Sequence, residues 1–235
     1  MRKLLAVITS ALSILVAGCV SPGMVANSPD AASMTKESQD ATTPDQAMAR
    51  LKAGNDRFIT GKMLTRDLKA QVKVSGYAQY PYASIVSCID SRAAPELVFD
   101  QGIGDVFSAR VAGNVVNEDI LGSLEFASKV AGAKLVVILG HSSCGAIKGA
   151  CDDVALGNLT VLLDKIKPSV QNISLVGDRS SKNHEFVEMV SEANVHSVVQ
   201  EVLRRSPVLK DMSDKGQIKV VGAMLDVGTG KVTWY

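Results

Sequence analysis

Hydrophobic positions along the chain form two patterns: short unbroken runs, and residues spaced three to four apart. The unbroken runs are Tyr82-Ala83-Ser84-Ile85-Val86-Ser87 and Lys134-Leu135-Val136-Val137-Ile138-Leu139. Their length and β-branched content predict strands buried on both faces. Further strands are predicted near 105–109 and at 218–225. The spaced pattern begins after Thr43, an N-cap followed by Pro44 at the first helical position. Ala47, Leu51 and Phe58 then recur at helical intervals and predict a helix over about 44–60. Part of 66–77, a turn near 94–99, and the stretches 117–131, 156–167 and 183–205 are also helical. The last carries Val195, Val198, Val199, Val202 and Leu203 on one face, and Pro207 helps to stop it. Gly228-Thr229-Gly230 predicts a turn into Lys231–Tyr235 and so a C-terminal hairpin. Strands alternating with helices imply an α/β fold, a mostly parallel central sheet flanked by helices.

The amino end follows a different plan. Arg2 and Lys3 precede an apolar stretch from Leu4 to Val16, then Ala17, Gly18 and Cys19. That is the layout of a secretory signal, and the stretch is short for a permanent span, which needs about 20 apolar residues. Leu15-Val16-Ala17-Gly18-Cys19 resembles the lipobox of bacterial lipoproteins, in which cleavage precedes the cysteine and the thiol receives lipid. Residues 20–43 are rich in Ser, Thr, Ala, Asp and Pro and show no period that specifies a buried face. The chain is therefore divided into a signal peptide (1–18), a lipidated Cys19 with a flexible tether (19–43) and one globular domain (44–235). The domain is expected outside the cytoplasm, held in the cell envelope by lipid alone and facing the periplasm in a Gram-negative cell.

Composition narrows the function classes. Of 235 residues, 46% are hydrophobic, enough for one buried core, and 25 basic residues nearly cancel 24 acidic ones. With only 4% aromatic residues there is neither a basic footprint nor a stacking platform, so nucleic acid is not an expected partner.

The chemistry lies where the two central strands end. One runs into Cys88-Ile89-Asp90-Ser91-Arg92, the other into Gly140-His141-Ser142-Ser143-Cys144-Gly145. Ligands of open α/β sheets gather at the carboxyl ends of strands, so the two loops can bring Cys88, His141 and Cys144 around one ion. Two thiolates and an imidazole suit zinc, and three protein donors leave a fourth tetrahedral position for water. Asp90 and Arg92, one residue apart, can pair so that the carboxylate stays ionised. Cys144 at the start of a helix gains from the positive helix end.

At these residues the chain resembles the β-class carbonic anhydrases, whose pattern is Cys-x-Asp-x-Arg followed about fifty residues later by His-x-x-Cys. The resemblance runs from about residue 45 to the carboxyl terminus. It includes Pro95-Glu96, Gly104-Asp105, Arg110-Val111-Ala112-Gly113-Asn114 and Ser123-Leu124-Glu125. It implies the β-carbonic anhydrase fold and reversible hydration of CO2 to bicarbonate. It also implies one Zn2+ per subunit on Cys88, His141 and Cys144, with Asp90 and Arg92 as the catalytic dyad. Gln79, nine residues before Cys88, and Gly145 match substrate-binding positions of the plant-like, open-site subgroup. Members of that subgroup form dimers or larger assemblies with the site at the interface, so a homodimer or higher homo-oligomer is expected.

Other readings stand beside this one. A disulfide or a pair of core thiols would account for Cys88 and Cys144, but not for His141, Asp90 and Arg92. A non-catalytic zinc module would place Asp90 in the fourth position. Hydrolysis of carbonyl sulfide or carbon disulfide would use the same metal site with a different pocket. Cys151 reads as a core thiol, His184 beside Glu185 and Glu188 as surface, and His196 as a packed or solvated helix residue.

Overall fold

The computed structural model describes residues 31–235, so Cys19 and the apolar stretch before it lie outside the described residues. The first helix, α1 (Lys36–Ala41), sits inside the expected tether. Thr35 and Ser38 close a capping box around its amino end. Gln39, almost wholly buried, donates from Nε2 to the carbonyls of Pro81 and Ala131, both at 2.8 Å. Part of the segment read as a tether is thus ordered against the domain. Polar hydrogen bonding, which apolar periodicity does not register, fastens residues 35–41 to the domain.

The helix α2 (Pro44–Ile59) begins at Thr43 with a second capping box, and α3 (Leu68–Ser75) begins at Asp67. The chain then alternates: β1 (Ala83–Ser87), α4 (Pro95–Val98), β2 (Val106–Arg110), α5 (Glu118–Glu125), β3 (Leu135–His141) and α6 (Gly145–Cys151). After α5 the helix continues through a wider turn at Phe126–Val130. The helix expected over 156–167 is α7 (Gly157–Asp164), and a short further helix, α8 (Lys167–Asn172), follows it. The long α9 (His184–Arg205) follows, then α10 (Pro207–Asp214), β4 (Lys219–Leu225) and β5 (Val232–Trp234). Pro207 both ends α9 and opens α10. Ser206 caps the new helix by accepting from the Leu209 amide, and a proline at the first helical position gives up no intrahelical bond.

The five strands lie in the order β2-β1-β3-β4-β5, the first four parallel and β5 antiparallel to β4, which is the expected sheet with its terminal hairpin. Strand alternation sends Ala83, Ile85, Leu135, Val137 and Leu139 to one face, where Leu51 of α2 and Phe99 cover them. Val86, Val136 and Ile138 go to the other, under Val195, Val198 and Val202 of α9 and Leu209 of α10. A third cluster caps the carboxyl ends of the strands. There Ile147, Ile166, Phe186, Val187 and Val190 pack around Cys88 and Cys144.

Candidate metal centre

Parallel pairing of β1 with β3 puts their carboxyl ends side by side, Ser87 opposite Leu139. Cys88 leaves β1 one residue later, and His141 is the last residue of β3. Cys144 is the N-cap of α6, and Gly145 is that helix's first residue. One donor atom from each of Cys88, His141 and Cys144 lies within 4.8 Å of the other two, and all three residues are buried, Cys88 least at 4% exposed. Expectation and structure thus agree in bringing these three together.

The donor set fits a zinc ion. His141 Nδ1 donates to the Ser142 carbonyl at 2.9 Å, which fixes the tautomer and turns a bare Nε2 inward. That Nε2 is buried and makes no hydrogen bond among the described residues, a costly position for a polar atom that meets no electrophile. The thiols lead to the same conclusion. A hydrogen bond from Cys144 holds the Cys88 thiol well below its ordinary range against the cost of burial, whereas the Cys88 thiolate then pushes Cys144 up. With nothing between them only one of the two thiols ionises, and a cation held by both would let the second ionise as well. Burial depresses the His141 pKa, but interaction with Cys88, first by hydrogen bonding and then by charge, together with Ser142 and Asp90 outweighs it and raises the value.

Each loop has its own supports. The amide of Gly113 donates to Cys88 Sγ at 3.4 Å from a turn at Ala112–Asn114. Gly113 has φ +68°, and a Cβ there would lie 2.6 Å from Ile166 Cδ1, so glycine is required. Asn194 of α9 donates to the Gly113 carbonyl at 2.9 Å. Arg110, at the end of β2, donates to the carbonyls of Cys88 at 3.0 Å and Asp90 at 2.5 Å. In the other loop the Ser143 amide donates to Glu188 Oε1 at 2.8 Å, and Ser142 Oγ accepts from the Val227 amide at 3.0 Å. Arg110 stands in a motif quoted above but was given no role, and Glu188 was noted only beside His184. Their partners are distant backbone groups, which no local pattern announces.

Asp90 and Arg92 pair as expected. Arg92 Nε and Nη2 donate to the two carboxylate oxygens at 2.9 and 2.8 Å, and the Arg92 amide adds a third bond at 2.9 Å. Those bonds outweigh burial and hold the Asp90 carboxyl well below the usual carboxylate range. Asp90 Oδ2 lies 3.9 Å from His141 Nε2, beside the donor cluster but outside it.

Gln79 is elsewhere. It lies before the amino end of β1 in a surface hollow with Ser75, Tyr77, Ile103 and Gly104. The strand that leads to Cys88 rises about 3.3 Å per residue, so the two are separated by roughly the strand's full length. Within one chain Gln79 does not reach the cluster. Cys151 is not among the converging donors, and burial pushes its thiol up to about 11. His184 and His196 are exposed, the His196 ring lying tilted against Tyr235 with centroids 4.6 Å apart.

Residues 83–232 match the family model described as carbonic anhydrase. The chain is 34% identical over 196 residues to carbonic anhydrase 2 of Mycobacterium tuberculosis, a match covering 81% of this chain and 92% of that one. A solved β-carbonic anhydrase of Coccomyxa in complex with acetazolamide superposes with a TM-score of 0.62 at 25% identity, over 83% of this chain and 86% of that one. A tetrameric β-carbonic anhydrase from Sordaria macrospora gives 0.60 at 25% identity, over 69% and 83%.

Proposed function

The chain belongs to the carbonic anhydrase family, in its β class, and from that membership we propose that Cys88, His141 and Cys144 hold a catalytic zinc ion while Asp90 and Arg92 orient the water that hydrates CO2. The reaction is reversible hydration of CO2 to bicarbonate and a proton. A zinc ion in this donor set supplies the Lewis acidity that makes water a nucleophile near neutral pH. The observation that carries the reading is the engagement of both Asp90 oxygens by Arg92. A carboxylate committed to a guanidinium is not a fourth ligand, so this supports an open site and the plant-like subgroup over a closed zinc module.

Asp90 Oδ2, 3.9 Å from His141 Nε2, would accept a hydrogen from a water at the metal and so help aim an oxygen lone pair at the carbon. With its basicity lowered by Arg92, Asp90 orients that hydrogen without retaining it, and the released proton passes to buffer. The Gly145 amide would steady an oxygen of bicarbonate. Gln79 would do so only from a neighbouring copy, which supports a homodimer or larger assembly with shared sites. The position of β2 at the edge of the sheet among the described residues, and the exposed Phe126 against Phe107 of that strand, also favour association.

The test compares CO2 hydration with hydrolysis of carbonyl sulfide and carbon disulfide on one zinc-replete preparation. CO2 turnover exceeding both is the expected result. Hydrolysis of either sulfur compound in preference to CO2 would shift the assignment to that substrate.

A further inference from the structure

We infer that Glu188 is a positioning residue for the metal: it fixes the His141–Cys144 loop through the Ser143 amide and so sets how firmly zinc is held. The inference rests on the zinc assignment above. Ser143 stands between two ligands and has φ +55°, a left-handed conformation unfavourable for a residue with a Cβ. Strain of that kind persists only where neighbouring bonds over-determine it. The bond available is the one from the Ser143 N–H to Glu188 Oε1, 2.8 Å long and charge-assisted.

Glu188 is itself well anchored. It lies on α9, whose next turns pack Val190, Asn194 and Val195 into the core, and its side chain is 28% exposed. His184 sits one turn earlier, 3.8 Å from the same Oε1 and 3.5 Å from Ser143 Oγ. On the other side of the loop, Ser142 donates its amide to the Leu225 carbonyl at 2.9 Å and accepts from Val227. The loop is thus pinned from β4 on one flank, and from α9 by Glu188, which holds the Ser143 backbone, with His184 reaching only the Ser143 hydroxyl at 3.5 Å. Without Glu188, Ser143 has a strained backbone, an unpaired amide and no reason to hold its φ. Both neighbouring ligands would then gain freedom. Outer contacts of this sort typically govern metal affinity by about 10–100-fold.

The experiment follows zinc release from the full domain into a chromogenic chelator for wild type, Glu188→Ala, Glu188→Asp, Glu188→Gln and His184→Ala, with thermal unfolding of each metal-free protein as the control. Glu188→Ala, and Glu188→Asp with its shorter reach, are expected to release zinc about 10–100-fold faster than wild type. Glu188→Gln keeps an oxygen for the amide and should stay within about threefold, as should His184→Ala. The metal-free melting points should not follow the release rates. Wild-type release rates in Glu188→Ala or Glu188→Asp, or an equal loss in Glu188→Gln, would overturn the positioning role while leaving the zinc site intact. A wild-type protein that takes up no zinc would overturn both readings.

Discussion

Asp90 is the side chain on which the proposed chemistry and metal binding separate. Its oxygens are held by Arg92 and it stands outside the three-donor cluster, so replacing it should spare the metal. Asp90→Asn is expected to keep one zinc per chain and to lose hydration activity by about 100-fold or more, since the amide presents a donor where an acceptor is required. Steady-state kinetics on metal-analysed protein checks this, and near-normal turnover with full zinc would remove Asp90 from the mechanism. These residues are legible in the sequence because each is a chemically distinctive type at the end of an apolar strand. Arg110 and Glu188 were not legible in the same way. Each acts on a backbone group, Arg110 on the carbonyls of Cys88 and Asp90 and Glu188 on the Ser143 amide 45 positions away.

Helix α9, which reaches the proposed metal loop through Glu188, packs on the sheet over two glycines. Gly140 of β3 and Gly222 of β4 make room for Val195. A Cβ on Gly140 would stand 2.4 Å from Val195 Cγ2, and one on Gly222 would stand 2.7 Å from Val195 Cγ1. Gly140→Ala should cost about 1–3 kcal/mol by overpacking, read from urea unfolding, and Val195→Ala in the same chain should recover part of that loss. Strictly additive destabilisation would mean that the two sites do not press on one another. The sequence already predicted α9 and the strands beneath it, since their apolar positions are dense and regular. Helix α10 was hidden because Pro207 reads as a stop, although Ser206-Pro207 is also a helix start. Helix α1 was hidden because what it buries is the amide of Gln39, along with little apolar surface. Helix α8 went unpredicted because it is short and Pro168 suits a break as well as a helix's first turn.

Across the domain, the buried charge of Asp100 ties together segments remote from the site. It accepts from Arg57 Nε at 2.5 Å, from Arg66, and from the Leu64 amide at 3.2 Å, linking α2 and the 62–67 loop to the end of α4. Burial opposes its ionisation, but the hydrogen bonds from Arg57, Arg66 and Leu64 prevail and lower its pKa. A carboxyl depressed on folding stabilises the native state above its unfolded pKa of about 3.9, and that contribution is lost as pH falls through the native value. Asp100→Ala should therefore destabilise the domain by about 3–5 kcal/mol at pH 7, and by progressively less in denaturant titrations carried into acid below pH 4. A deficit that does not shrink with acidification would show that packing, rather than charge, is what the substitution removes. The proposed anchor is tested at the other end of the chain. Cys19→Ser is expected to abolish lipid labelling and release the protein from the membrane fraction, whereas labelling that persists at another residue would end the lipobox reading. The assignment of Cys88, His141 and Cys144 to a working zinc site meets its sharpest test in stopped-flow CO2 hydration on protein of known metal content. One zinc per chain is predicted, with hydration that a chelator abolishes and added zinc restores. Stoichiometric zinc with hydration no faster than in buffer would contradict it.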